Sequence, residues 1–204
     1  MSEKLGENIA REWAKEAQAQ ALWDALQLRK SNPAAGSECL RRLAEDGSSL
    51  AMVYLGAAYR AGKYGISSDP QLAEYWLRRS AADGSIEGAY GLAYHLIHTG
   101  RLKEAIDQYS DLGERGYSPA FYALGAHFYK GAYVQRDSAI ALDHFRRGEA
   151  LGHLYAAVWA CRVLMSEEVG WRERLHATAK WVGLQIPVLQ LTWTFPDSDR
   201  LRVK

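Results

Sequence analysis

Small and apolar residues recur along the chain in a pattern that predicts pairs of α-helices. Residues 51–59 (AMVYLGAAY) resemble residues 120–128 (AFYALGAHF), and residues 73–84 (AEYWLRRSAADG) resemble residues 141–152 (ALDHFRRGEALG). Within the first segment, small and apolar residues return at i, i+4 and i+8, which places them on one helical face. Four closing glycines follow one another at intervals of 37, 32 and 36 residues, a period typical of stacked helical arrays: Gly47, Gly84, Gly116 and Gly152.

The first full repeat contains the usual signals for where its helices begin and end. A first helix, helix A, is expected over residues 49–61. A second, helix B, is expected over residues 70–82, with Asp69 as its N-cap and Pro70 in its first turn. A glycine inside helix A, Gly56, is disfavoured by about 1 kcal/mol relative to alanine, so it predicts close contact with a neighbouring helix. The same repeat position holds other small residues: Ala93, Gly125 and Cys161.

These residues resemble the Sel1-like repeat, a relative of the tetratricopeptide repeat. The matching elements are Ala-x3-Leu-Gly-x2-Tyr, a glycine-containing loop that ends in Asp, Ala-x2-Trp, and a terminal Ala-Ala-x-Gly. The match is strong over residues 47–84 and 118–152, weak over residues 85–116, and degenerate over residues 153–183. The resemblance implies an all-α fold, a right-handed α/α superhelix of antiparallel helix pairs. It also implies use in protein–protein interaction, usually as an adaptor, without catalytic residues.

The expected organisation is one solenoid domain over residues 1–183, followed by an extended tail over residues 184–204. Residues 1–47 would form a divergent N-terminal cap that begins with one long helix over residues 8–30. The repeats would cover residues 48–84, 85–116 and 117–152, and a degenerate last repeat would cover residues 153–183. The final helix is expected to stop at Gly183.

The tail alternates between apolar and other residues over residues 188–195, which predicts a short strand. One side of this strand would carry Leu189, Leu191, Trp193 and Phe195. Two interpretations remain open. The strand could lie across the last helices of its own chain, or it could pair with a partner or a second copy by β-augmentation.

In this class of superhelix the A helices line the concave side, where a partner would bind. After the packing positions are removed, the remaining A-helix positions are rich in aromatic residues with polar ends, a composition typical of interface cores. The alternative is that several of these rings pack between repeats, which their exposure would decide. The predicted partner-binding residues are Tyr54, Tyr90, Tyr94, His95, His98, Tyr122, His127, Trp159 and Arg162.

Composition narrows the possible partners and compartments. The net charge of +1, with both signs interspersed, predicts no nucleic-acid or membrane partner. Two cysteines, Cys39 and Cys161, do not form a disulfide framework. The N-terminus lacks the apolar segment of a signal peptide, and no apolar run is long enough to span a membrane. A cytoplasmic monomer or weak homodimer is therefore expected.

Motifs for chemistry are sparse. His95 and His98, with His127 on the next A helix, could supply part of a metal site, but no HExxH motif accompanies them. Phosphate-binding loops and nucleophile elbows are also missing from the sequence. We therefore expect no enzyme activity, no metal and no cofactor. The leading function is an adaptor for a protein or peptide. The alternative is an immunity protein or chaperone for one cognate toxin or effector, and the third possibility is an enzyme or its accessory domain.

Overall fold

The computed structural model describes residues 7–166 and 170–194. These residues form eleven α-helices and no strand. The helices are α1 (Glu7–Lys15), α2 (Ala19–Ser31), α3 (Pro33–Glu45), α4 (Ser49–Ala61), α5 (Pro70–Ala82), α6 (Ile86–His98), α7 (Leu102–Glu114), α8 (Ser118–Lys130), α9 (Ser138–Ala150), α10 (Leu154–Ser166) and α11 (Trp171–Thr194).

After α1, the helices alternate between A and B positions of the repeat. The A helices are α2, α4, α6, α8 and α10, and the B helices are α3, α5, α7, α9 and α11. The chain divides into two compact units, one comprising residues 8–108 and the other continuing from Tyr109, so the division falls within α7. The prediction of all-α helix pairs is confirmed. The prediction of a single solenoid domain over residues 1–183 stays a prediction.

Helices α4 and α5 begin and end at the residues that the sequence predicts. Ser48 caps α4 by accepting a hydrogen bond from the backbone N–H of Ala51, and Asp69 caps α5 by accepting one from Leu72. Asp137 caps α9 in the same way, by accepting a hydrogen bond from the backbone N–H of Ile140. Gly84 follows α5 with a φ of 85°, a left-handed conformation that glycine adopts without strain.

The mid-helix glycines lie where an A helix touches its B helix. A Cβ added to Gly56 would come within 2.6 Å of the Leu77 side chain on α5. In the second unit, a Cβ on Gly125 would come within 2.6 Å of the Phe145 ring on α9. The predicted close approach at this repeat position is confirmed. It accounts for the tolerance of a residue that weakens the isolated helix.

Residues 8–30 lie in two helices, α1 and α2, so the expectation of one long helix there is wrong. The chain turns between α1 and α2, where the Glu16 carboxylate accepts hydrogen bonds from the Gln18 backbone N–H at 3.1 Å and from Ser48 Oγ at 2.8 Å. Because this carboxylate is held by the next helix pair, the chain turns at Glu16 and does not continue as a helix.

The C-terminal strand and the helix end at Gly183 are also wrong. Helix α11 continues through Gly183 and Pro187 to Thr194, and therefore contains residues 188–194. Its inner face follows the helical period, with Ala177 buried and four half-buried residues continuing the stripe: Trp181, Leu184, Val188 and Leu191. Residues 188–194 alternate in the sequence and are nevertheless helical, because apolar side chains occur on both the inner and the outer face of α11. Val188 and Leu191 lie on the inner face, and Leu189 lies on the outer face. Phe195 lies outside the described residues.

Helix α1 is attached to the first unit through two glutamates that meet the beginnings of successive A helices. Glu12 accepts hydrogen bonds from Ser85 Oγ at 2.6 Å and from the backbone N–H of Glu87 at 3.1 Å. Ser85 in turn caps α6 by accepting from the N–H of Gly88. Glu16 makes the matching contact with Ser48 at α4. Trp13 lies between these two glutamates in the sequence. Its side chain is buried and supplies the apolar contact of α1.

Replacing Glu12 with alanine should loosen α1. The change removes the acceptor of one hydroxyl and one backbone N–H, which we expect to lower the free energy of unfolding by about 1 kcal/mol. Burial raises the pKa of Glu12, so part of the loss is offset because a desolvated carboxylate is also removed. Faster hydrogen exchange of the α1 amides would show the effect. Lys15→Ala, on the exposed side of α1, is the control and should leave the exchange unchanged.

Candidate functional site

The exposed side of the A helices in the first unit carries arginines stacked on tyrosine rings. The guanidinium carbon of Arg29 on α2 lies 3.9 Å from the ring centre of Tyr64 and 5.8 Å from that of Tyr54 on α4. Tyr54 is half-buried and Tyr64 is exposed. The two rings therefore hold the cationic group of Arg29 between the first two A helices.

The loop between α4 and α5 holds Tyr64 in a strained conformation. Its φ is 62°, a left-handed value that no other non-glycine residue among residues 7–166 and 170–194 adopts. Such a conformation costs about 1–3 kcal/mol and persists only where the surrounding contacts fix it. Here the carbonyl oxygen of Tyr64 accepts a hydrogen bond from Ser37 Oγ at 2.9 Å. This bond and the stacking on Arg29 fix the ring at the surface.

A second cluster lies on the other side of α4. The guanidinium carbon of Arg60 is 4.2 Å from the ring centre of Tyr94 on α6. The Tyr94 ring in turn lies 4.1 Å from the His98 ring, measured between centres, and His98 Nδ1 lies 2.7 Å from the Tyr94 carbonyl oxygen. We call the six residues of the two clusters the Arg–Tyr surface: Arg29, Tyr54, Arg60, Tyr64, Tyr94 and His98.

The arginines of this surface have no acidic partner within the part of the chain that the structure describes. Helix α4 contains no Asp or Glu, and Glu87, the acidic residue of α6, is buried. Neither Arg29 nor Arg60 forms an ion pair with any described residue. Partial burial lowers the pKa of Arg29, but a guanidinium stays protonated at physiological pH. The Arg–Tyr surface is thus a cationic, aromatic surface with unmatched charge.

Several arginines of the B helices are, in contrast, neutralised. Arg41 on α3 bonds Glu38 at 2.7 Å and Glu45 at 2.8 Å. Arg78 on α5 bonds Glu74 at 2.8 Å and also Glu104 on α7. The charges of Arg41 and Arg78 are therefore matched by carboxylates of the same chain, unlike those of Arg29 and Arg60.

The second unit has its own aromatic cluster on α8 and α10. Tyr129 and Trp159 meet edge to face, with ring centres 5.3 Å apart. The guanidinium of Arg162 lies over Trp159 at 4.9 Å, and that of Arg136 lies over Tyr129 at 5.6 Å. Neither α8 nor α10 contains an Asp or Glu. The combination of arginine and aromatic ring thus recurs independently in this unit.

The structure divides the nine predicted A-helix residues by exposure. Tyr54, Tyr94, His127 and Trp159 are half-buried, and His98 and Arg162 are exposed. The other three are at most 5% exposed, so their assignment to a binding surface is wrong: Tyr90, His95 and Tyr122. Tyr122, for example, stacks on His153 with ring centres 4.9 Å apart and packs against Phe145.

The predicted tail residues have different positions. Leu189 is exposed and Leu191 is half-buried on α11. The side chain of Trp193 and the whole of Phe195 lie outside the described part of the chain.

Three residues of the Arg–Tyr surface were not among the predicted partner-binding residues: Arg29, Arg60 and Tyr64. Arg29 lies in the divergent N-terminal cap, where no repeat register marks it as part of an A-helix face. Tyr64 lies in a loop, and its exposure depends on the left-handed backbone. The presence of Arg60 and the lack of acidic residues in α4 were readable signals, because charge composition by helix needs no structure.

The histidines and cysteines considered for chemistry bear on two arrangements, a metal site and an activated thiol. Within residues 7–166 and 170–194, no group of three or more His, Cys, Asp or Glu residues is arranged to hold a metal ion. Burial raises the pKa of the Cys161 thiol, which disfavours the nucleophilic thiolate. Among the described helices, none combines the length and apolar character needed to cross a bilayer.

Comparison with known proteins supports the fold. No protein-family model matches the chain, and no curated protein matches it. A Sel1 repeat protein from Oxalobacter formigenes has a similar structure, with a TM-score of 0.62, 19% identity, and coverage of 84% of this chain and 75% of that one. A protective antigen of uropathogenic Escherichia coli with an SLR fold has a TM-score of 0.58 and 20% identity over 89% of this chain.

This chain spans 42% of the length of the Escherichia coli antigen. An immunity protein from Pseudomonas aeruginosa is a more distant match, with a TM-score of 0.45, 20% identity, and coverage of 90% of this chain and 83% of that one. That likeness is too loose to carry any conclusion about this chain. The first two comparisons and the observed helix pairs agree, and the chain therefore has the Sel1-like repeat fold.

Proposed function

We propose that this protein is a non-catalytic binding scaffold that holds an acidic segment of a partner protein on the Arg–Tyr surface of its first unit. The observation that carries the proposal is the pair Arg29 and Arg60. Each lies against a tyrosine ring, and neither has a carboxylate partner among the described residues. A carboxylate on the partner would supply the missing charge.

The geometry suits recognition of carboxylates. A guanidinium stacked on an aromatic ring keeps its in-plane N–H groups available for two parallel hydrogen bonds to a carboxylate. The rings also exclude water from one side of the cation, which strengthens the ion pair. Tyrosine and arginine are enriched among the residues that dominate binding energies at protein interfaces. Tyr54 and Tyr94 would contribute apolar contact next to each charged group.

Replacing Arg29 and Arg60 with glutamine should abolish recognition of an acidic segment. Each charge-assisted hydrogen bond contributes about 1.5–3 kcal/mol, so each substitution should weaken binding roughly 10- to 100-fold. Fluorescence anisotropy with a labelled peptide of alternating Glu and Tyr, compared with its Gln analogue, would measure this. Wild-type protein should prefer the Glu peptide, and the double variant should bind the two equally.

Arg41→Gln is the matched control, because Arg41 is already paired with Glu38 and Glu45. It should leave peptide binding unchanged. If the double variant captured the same proteins as wild type from the native cell, the Arg–Tyr surface would not be the binding site. The narrower role of immunity protein or chaperone stays a prediction. Recovery of a single toxin or effector in the same experiment would support it.

A further inference from the structure

The outer face of α11 carries an exposed apolar stripe in the second unit. Five large apolar side chains on this helix are 57–71% exposed: Trp171, Leu175, Val182, Ile186 and Leu189. At 100° per residue they fall within about 60° of arc, so they form one continuous stripe. With a rise of 1.5 Å per residue, the stripe is about 27 Å long.

This stripe is a second apolar face of the same helix. The inner face of α11 already packs on α10, where Ala177 is buried. A helix with one apolar face packed on its neighbour normally presents a polar face to solvent. The large exposed apolar side chains on the other side of α11 are therefore typical of an interaction surface.

We propose that the outer face of α11 is the interface of a homodimer, in which the α11 helices of two copies pair antiparallel. This inference concerns a different surface from the Arg–Tyr surface and does not depend on the proposed function. The positions of the apolar residues favour a second copy as the partner. Trp171 and Leu189 lie at equal distances in sequence from residue 180, and Leu175 and Ile186 lie at nearly equal distances. A two-fold axis near residue 180 therefore brings Trp171 opposite Leu189 of the other copy, and Leu175 close to its Ile186.

The charges of α11 favour the antiparallel direction. Arg172 and Arg174 flank the stripe near the start of the helix, whereas residues 181–194 contain no charged side chain. In an antiparallel pair, these arginines lie beside the uncharged half of the partner helix, near its C-terminal end. The helix dipole is negative there and attracts cations. In a parallel pair, each arginine would instead face its own counterpart.

The exposed area is sufficient for a reversible dimer. If a fully exposed large apolar side chain presents about 150–200 Å², the five residues contribute roughly 500–600 Å² per copy. Two copies would bury about twice this area, close to the lower limit of roughly 1,200 Å² for specific interfaces. An interface of this size is typical of weak, reversible association.

Analytical ultracentrifugation of the full chain up to about 300 µM should show a monomer–dimer equilibrium. Ile186→Lys places an ammonium group in the stripe and should raise the dimer Kd at least about tenfold. His176→Lys is the matched control, because His176 is exposed on the same helix away from the stripe. It should leave the Kd unchanged. Circular dichroism would establish that the variants remain helical.

A double variant tests the direction of pairing. Leu175→Lys and Ile186→Glu should each weaken the dimer alone. Together they place Lys opposite Glu twice across an antiparallel interface, and dimerisation should recover. Within one helix these residues are about 16 Å apart, so they cannot compensate in the monomer. A monomeric wild type at the highest concentration, an unchanged Kd for Ile186→Lys, or no recovery in the double variant would each overturn the proposal.

Discussion

Replacing Gly36 with alanine is expected to lower the free energy of unfolding by about 3 kcal/mol or more. Gly36 is buried in α3, where this helix crosses α2. A Cβ added there would come within 2.7 Å of the Arg29 Cβ, and closer still to the Arg29 backbone N and Cα atoms. A backbone cannot rotate away as a side chain can. The two helices would have to separate, with loss of their packing.

Urea unfolding followed by circular dichroism would measure the effect, and Gly183→Ala is the matched control. Gly183 lies within α11, and an added Cβ would meet no atom within 4 Å. Removal of a helical glycine without a clash should raise stability by about 0.5–1 kcal/mol. The same chemical change should therefore have opposite signs at the two positions. Equal effects would show that the close contact at Gly36 does not determine stability.

Gly36 also connects stability with the proposed binding surface. The residue it contacts, Arg29, carries one of the two cations of the Arg–Tyr surface. Separation of α2 from α3 would move this guanidinium away from the Tyr54 and Tyr64 rings. Gly36→Ala should consequently weaken binding of the acidic peptide even in the fraction of molecules that remain folded.

The sequence predicts the central repeats well because their signals are local. Asp69 begins α5 and Gly84 ends it, each through contacts with residues a few positions away. Gly56 is different, because the reason for a glycine there is a contact with a neighbouring helix. The sequence still predicts this contact, since the same repeat position holds a small residue in the other copies, Ala93, Gly125 and Cys161.

The terminal regions were predicted less well because their structure depends on contacts between distant residues. The turn after α1 depends on Glu16 reaching Ser48, 32 residues away. In α11, the alternating segment fits both a strand and a helix whose two faces are apolar. Packing of Ala177 and the residues that follow it against α10 favours the helix.

Exposure of the A-helix aromatics could not be read from repeat position alone. Tyr122 occupies the same position as Val53, yet the tyrosine is buried and the valine is half-buried. The difference comes from the neighbours, since Tyr122 has the His153 ring to stack on. Repeat position predicts which side of a helix a residue occupies, whereas the size of the surrounding side chains determines how deeply it is buried.

Acidification should destabilise the protein through two histidines, His95 and His144, whose ring nitrogens are buried without a partner among the described residues. His95 is 2% exposed, and neither of its ring nitrogens has a hydrogen-bond partner in that part of the chain. His144 is half-buried between the Phe121 and Phe128 rings, and its buried Nδ1 has no partner among residues 7–166 and 170–194. Burial lowers the pKa of both imidazoles. Nearby positive charges add to this effect, while Glu74 and Asp143 oppose it.

Stability falls in acid because the unfolded chain binds more protons at these two histidines than the folded protein does. In the unfolded chain both histidines titrate near their ordinary pKa of 6.5, whereas the folded protein resists protonation at both sites. Stability should therefore be complete above about pH 6.5 and fall below it, by up to about 1.4 kcal/mol per pH unit for each histidine. Glu12 acts in the opposite direction, because burial raises its pKa above 4.5 and the folded state then holds its proton more tightly.

The variant His95→Leu separates these contributions. It replaces an imidazole that cannot hydrogen-bond in its site with an apolar group, which should be neutral or stabilising at pH 7. Between pH 8 and about 5.5, urea midpoints should decline roughly half as steeply as in wild type, since His144 would act alone. If the slope of His95→Leu matched wild type, the buried imidazole would not be the source of the acid sensitivity.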